Sequence, residues 1–239
     1  VYPRQIPVAG VHTKLIETHQ PLLARLLNAA LAENTVDPTV PSFAGRYGLR
    51  SPARRVRVRG DAALLGVPTT GAADVEWDIA ALAAVDVETT GITQLLVVEN
   101  KTSFLTCPAG IGQLTVWGQG YGADELLAAL PWLDRVTVLY WGDIDTHGCT
   151  ILNRVRRAAP HALSVLMDTE TLLAHKAFWT REPTPHIEAL TDLTDAERAL
   201  YQALCVGTHG DRIRLEQELI RFDLIESAIA EIYRGSRPS

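Results

Sequence analysis

The chain has 239 residues, 47% of them hydrophobic, and a net charge of −6. That suits one large domain, or one domain with extensions, able to bury its own core. No apolar run approaches the roughly 18 residues of a membrane span, and the polar, proline-punctuated start lacks a signal-peptide pattern.

Residues 11–33 carry an apolar stripe at helical spacing (Leu15, Ile16, Leu22, Leu23, Leu26, Leu27, Ala30, Leu31), interrupted by Pro21, which either kinks one helix or opens a second. Residues 34–53 are a connector punctuated by Pro38, Pro41, Gly45 and Pro52. Residues 55–59 alternate Arg and Val as a half-buried strand does, with 74–79 as its partner. A strand follows at about 94–99, then a loop, a short apolar stretch at 114–117 and a helix at 123–130. A second strand at 136–141, a helix at 147–159 and a strand at 162–167 complete the pattern. Strands alternating with helices predict an α/β fold with a parallel sheet. Thr194 and Glu197 form a capping box, and helices are expected at 212–220 and 222–233, with residues 235–239 fraying. The expected organisation is thus a helical segment and connector at 1–53, a β-rich lead-in at 54–89, the α/β core at 90–175 and a helical tail at 176–239.

The stretch VTVLYWGDIDTHG (136–148) points to function. A β-branched run ends at a glycine and then delivers Asp143 and Asp145. Acids at the C-terminal end of a parallel strand stand at the edge where open α/β sheets bind ligands. Residues two apart in an extended segment point the same way, so both carboxylates can converge. The run QLLVVEN (94–100) repeats the pattern and delivers Glu99. Converged carboxylates repel unless a cation lies between them, and hard oxygen donors favour Mg²⁺ or Mn²⁺. Lys101 is placed to meet a phosphate or to pair with the acids. His147, Asp168, Glu216 and Glu218 are further polar candidates: a histidine at a helix start is more often a packing or helix-start residue, Asp168 ends the following strand as a candidate further carboxylate, and Glu216 and Glu218 suit salt bridges at least as readily as metal binding.

Between residues 42 and 60 lie Arg46, Arg50, Arg54, Arg55, Arg57 and Arg59 with no acid among them. Such a run is a candidate phosphate-binding surface or a solvated strand and loop. The three cysteines, Cys107, Cys149 and Cys205, are odd in number and widely spaced, which fits a reducing cytoplasm rather than a disulfide frame or a zinc site. The single methionine is Met167, so the chain is expected to lack an N-terminal part.

A Glu after one strand and Asp-x-Asp after a later one resembles the Toprim domain of topoisomerases, primases and nucleases. The segments GVHTKLIETH (10–19), FAGRYGLR (43–50), VENKTSFLT (98–106), LPWL followed by LYWGDIDTHG (130–148) and RLEQELI (214–220) resemble, in order, the JetD (MksG) family. That family supplies the nuclease subunit of bacterial Wadjet plasmid-defence systems. The resemblance spans nearly the whole chain. It implies a Toprim-like sheet related to the topoisomerase VI A subunit, and an N-terminal winged-helix-like region mostly missing here. It also implies metal-dependent cleavage of plasmid DNA at Glu99, Asp143 and Asp145, with Glu99 as ligand or general base. Partners would be DNA, an SMC–kleisin condensin-like complex and a second copy of the chain, in the bacterial cytoplasm. Topoisomerase relatives use a tyrosine nucleophile; Tyr47, the only tyrosine in a basic setting, lacks a companion motif and is read as structural.

Two other readings compete. A haloacid-dehalogenase-type phosphatase also opens with Asp-x-Asp, but wants Thr or Val two residues after the second Asp, where this chain has His147. A non-catalytic docking scaffold would have no need of three repelling acids.

Overall fold

The computed structural model describes residues 1–118 and 122–235, so the expected fraying at 236–239 lies outside the described residues. The chain forms two compact units, Val1–Arg54 and Arg55–Ser239.

In the first unit the apolar stripe is two helices, α1 (Thr13–Thr18) and α2 (Gln20–Ala30), with Pro21 in the first turn of α2, where its missing N–H costs nothing. Of that stripe Ile16 is buried, whereas Leu22 and Leu26 are exposed. A short helix α3 (Phe43–Arg46) follows, capped by Ser42. The Tyr47 hydroxyl lies 2.7 Å from Asn28 Oδ1 and 3.1 Å from the Ala24 carbonyl, and its ring tilts on Phe43. Tyr47 therefore fastens the end of α3 to α2.

The second unit opens with β1 (Arg55–Asp61) and β2 (Ala72–Asp78), paired antiparallel. Helices α4 (Ile79–Ala83) and α5 (Val87–Thr90) lead to β3 (Gln94–Val98), α6 (Lys101–Thr106) and β4 (Gln113–Trp117). Then come α7 (Ala123–Ala128), β5 (Thr137–Trp141), α8 (Thr146–Ala158), β6 (Leu163–Ser164) and α9 (Thr169–Ala174). The chain closes with β7 (Thr180–Arg181), α10 (Asp195–Val206), β8 (Ile213–Arg214) and α11 (Phe222–Gly235). Among the described residues six strands make one sheet in the order β2-β1-β4-β3-β5-β6. The β4, β3, β5 and β6 pairings are parallel, and β1 joins β4 antiparallel. The lead-in strands thus extend the core sheet rather than standing apart from it.

Every residue of β3 is buried because both sheet faces are covered. Alternate side chains divide between them, as a pleat requires. Leu95, Val97, Val138 and Tyr140 pack with Leu126, Leu127, Leu152, Val155 and Leu200, from α7, α8 and α10. Leu96, Val98, Leu139 and Trp141 pack with Phe104 of α6 and Ile225 and Ile229 of α11. Each such buried side chain stabilises the fold by about 1.5–3 kcal/mol. The buried Arg156 of α8 bonds both carboxylate oxygens of Glu197 on α10, the acid of the capping box.

Three expectations are corrected. The apolar stretch at 114–117 is a full strand of the sheet. The strand at 162–167 shortens to two residues, because Leu166 takes a left-handed backbone (φ 52°) that leaves the pleat. The helix at 212–220 is reduced to one 3₁₀ turn at Gln217–Leu219: Arg212 is also left-handed (φ 54°), β8 pairs with β7, and Leu215 exchanges backbone hydrogen bonds with Ile144. The segment after residue 175 is therefore mixed rather than wholly helical.

Candidate active site

Strands β3 and β5 are neighbours in register, Val98 opposite Trp141, so the residues just beyond them emerge side by side at one sheet edge. Glu99, Asp143 and Asp145 all line one cleft of about 470 Å³, with Asn100, Tyr140, His147, Glu182 and Arg214.

Asp145 is the N-cap of α8, its Oδ1 accepting the Gly148 N–H at 2.6 Å. A Cβ at position 148 would overlap the carbonyl oxygen of Asp143, so glycine lets the Asp-x-Asp loop fold tightly onto the helix start. Asp143 accepts the backbone N–H of Gln217 on Oδ1 (2.8 Å) and the Arg214 guanidinium on Oδ2 (2.5 Å). Glu99 follows β3 directly. Its Oε1 is buried without a hydrogen-bond partner, and Gly118 leaves the room it fills, since a Cβ there would lie 2.5 Å from that oxygen.

Burial and then the charge of Asp143 push the Glu99 carboxyl up to about 7. Burial likewise pushes Asp145 up to about 6, aided by Glu182 and Asp143 and opposed by the Gly148 N–H and Arg214. Tyr140, fully buried, is pushed well up by burial and then by Glu99 and Asp143, and its hydroxyl is also unpartnered. These shifts mark acidic groups held in a buried setting, with neighbouring carboxylates adding to the effect of burial.

The profile described as Wadjet protein JetD, C-terminal, matches residues 48–229. The chain belongs to the JetD family. An N-terminal family described as an uncharacterized protein conserved in bacteria matches residues 1–28. No curated protein matches the chain. JetD membership supports a role in a Wadjet system.

Several residues of this JetD-family cleft had no functional reading in the sequence. Arg214 forms ion pairs with Asp143 (2.5 Å), Asp145 (3.3 Å) and Glu216 (3.6 Å). Gln217, almost fully buried, ties the two strand ends together: its side chain accepts from the Asn100 N–H and donates to the Trp141 carbonyl while its own N–H holds Asp143. Both lie in the RLEQELI phrase, which marked the segment without assigning these roles. Glu182, 3% exposed, accepts from the Thr146 hydroxyl (2.7 Å) and the His147 N–H (3.2 Å) at the start of α8. It comes from a proline-flanked loop with no sequence signal.

Other candidates fall elsewhere. Lys101 starts α6, exposed, its Nζ 5.8 Å from the Trp117 ring centre, and it does not line the cleft. Asp168 caps α9 through Thr171 and is not a cleft carboxylate. Glu218 accepts from the Asn100 side chain, and Glu216 faces Arg214. His147 lines the cleft, its ring edge-on to His186. The arginine run is split: Arg46, Arg50 and Arg54 belong to the first unit, and Arg55 opens β1 of the second. Arg57 and Arg59 leave the candidate surface, because Arg57 bonds Asp74 and Arg59 donates to the Cys107 carbonyl.

The donor chemistry fits a hard divalent cation: carboxylates from two strand ends, one with a buried oxygen lacking a partner. As placed, however, no three His, Cys, Asp or Glu side chains among the described residues form a group that could hold an ion. The cation beside Asp143 and Asp145 in this conformation is the Arg214 guanidinium.

Proposed function

We propose that this chain is the nuclease subunit of a Wadjet plasmid-defence system, a Toprim-type endonuclease hydrolysing phosphodiester bonds of DNA with Mg²⁺ or Mn²⁺. The observation that carries the reading is that Glu99, Asp143 and Asp145 all line one cleft, with Glu99 Oε1 buried and unpartnered. Asp143 and Asp145 would hold the ion, and Glu99 would be a further ligand or the base that takes a proton from the attacking water. Bound there, the ion would supply charge stabilisation at the phosphate and a more acidic water. Gln217 and the α8 N-terminus keep the carboxylates aimed, and Arg214 offers a cation to the phosphate. The exposed Arg50, Arg54 and Arg55, with Arg46 and Lys101, would hold the DNA backbone without reading sequence. An SMC–kleisin complex would deliver the DNA in the cytoplasm, and a second copy of the chain would supply the second cut by two-fold symmetry.

A second reading has its own observation. The ion pairs of Arg214 already neutralise part of the acid cluster, as a metal-free docking scaffold would require. Nicking of supercoiled plasmid by the assembled complex separates the two. Under the nuclease reading, EDTA abolishes nicking, Mn²⁺ restores it, and Asp145→Asn, which keeps a competent helix cap, stays folded and inactive. Undiminished nicking by Asp145→Asn leaves only the scaffold.

A further inference from the structure

We propose that Arg214 is a built-in placeholder for the divalent cation: its guanidinium occupies the charge position between Asp143 and Asp145, and an entering ion must displace it. The inference rests on the metal-site reading of the cleft and adds which side chain an entering ion competes with.

The geometry carries it. The guanidinium bridges two different carboxylates, through Nη2 to Asp143 at 2.5 Å and through Nε to Asp145 at 3.3 Å, instead of clamping one with both arms. The Nε contact lacks hydrogen-bonding geometry and leaves that N–H buried and unpaired. Such a contact is mainly charge attraction, which a small cation in the same place can replace. The attachment of Arg214 favours exchange. Its backbone is fixed by the β7–β8 pairing and by the neighbouring Leu215–Ile144 bonds, while the side chain remains about one-quarter exposed. The head can therefore swing out towards solvent or towards Glu216, 3.6 Å away, without disturbing the strand. Asp143 keeps its bond from the Gln217 N–H and Asp145 its bond from the Gly148 N–H, so both carboxylates stay aimed when the arginine leaves. Arg214 thus offsets the repulsion between the two aspartates and sets a threshold for metal entry.

The test is Mn²⁺ binding by the chain alone, followed by the loss of free-ion paramagnetic resonance signal, with thermal unfolding recorded in EDTA and in Mn²⁺. Arg214→Gln should bind Mn²⁺ about tenfold more tightly than the parent, the scale of one charge-assisted hydrogen bond that no longer has to be broken. It should melt lower than the parent in EDTA and gain more from Mn²⁺. Arg214→Lys, which keeps the charge and loses the bridge, should fall between them. Equal or weaker Mn²⁺ binding by Arg214→Gln and Arg214→Lys overturns the placeholder while leaving the metal site standing. Absence of binding in the parent and both variants, matching Asp143→Asn, overturns the metal site and the placeholder with it.

Discussion

The acidic cleft and the arginine run differ in how sequence distance relates to space. Glu99, Asp143, Glu182 and Arg214 are far apart in the chain, yet line one cleft because β3 and β5 are parallel neighbours and Leu215, just after β8, bridges back to Ile144 in the loop after β5. The six arginines at 46–59 are nearly contiguous, yet they divide between two compact units, and Arg57 and Arg59 are engaged within the second. A charge cluster in sequence is therefore weak evidence for a binding surface, since extended backbone spreads it and local partners neutralise it. Charges delivered by separate strand ends to one edge converge by topology. The cleft is also the less satisfied region, with unpartnered Glu99 and Tyr140 oxygens.

The largest effect is expected from removal of a cleft carboxylate. Asp143→Ala should lower metal-dependent plasmid nicking by the assembled complex at least about a hundredfold, with circular dichroism showing a retained fold. Residual nicking near the parental rate would make the cleft no more functional than the arginine run.

Next in size is a pH effect on stability. Glu99 binds its proton more tightly folded than unfolded, so the metal-free protein takes up protons on folding between about pH 4.5 and about 7, and its stability falls as pH rises through that window. Asp145 acts in the same direction up to about 6. Glu99→Gln should remove its share of that fall and be more stable than the parent above pH 7 by on the order of 2 kcal/mol in urea unfolding. A parallel pH profile for the two proteins would show that the Glu99 environment is not strained.

For the basic side, Arg50→Glu with Arg54→Glu should weaken DNA binding about tenfold at moderate salt and reduce the slope of log K against log salt by about 2. Mn²⁺ binding should not change. A double variant with parental affinity across a salt titration would reduce these arginines to a solvated face. The smallest effect is expected at Asp168→Ala, which removes a helix cap and should cost about 1 kcal/mol of stability while leaving nicking intact. Lost nicking would return Asp168 to the cleft.

Much of the fold was readable because its signals are local. The runs at 94–98 and 137–141 are apolar on both faces, which suits central parallel strands. Thr194 and Glu197 cap α10 as their spacing predicts, and Pro21 opens α2. The reading failed where a distant backbone decides. RLEQELI carries Leu215, Leu219 and Ile220 at nearly helical spacing, but Leu215 pairs with Ile144 and the left-handed Arg212 prevents a helix over 212–220.

By itself the sequence determined the carboxylates and the strands that carry them, because side-chain alternation and apolar periodicity are properties of a few consecutive residues. Its resemblance to JetD gave the family to which the chain belongs. Only the tertiary structure decided what surrounds them: Glu182 from a featureless loop, Gln217 stitching two strand ends, and Arg214 between the aspartates. Those partners lie far along the chain, and no local pattern encodes a contact made across the top of a sheet. The same structure decided that Arg57 and Arg59 are engaged, by Asp74 across the β1–β2 pair and by the Cys107 carbonyl, which composition alone does not encode.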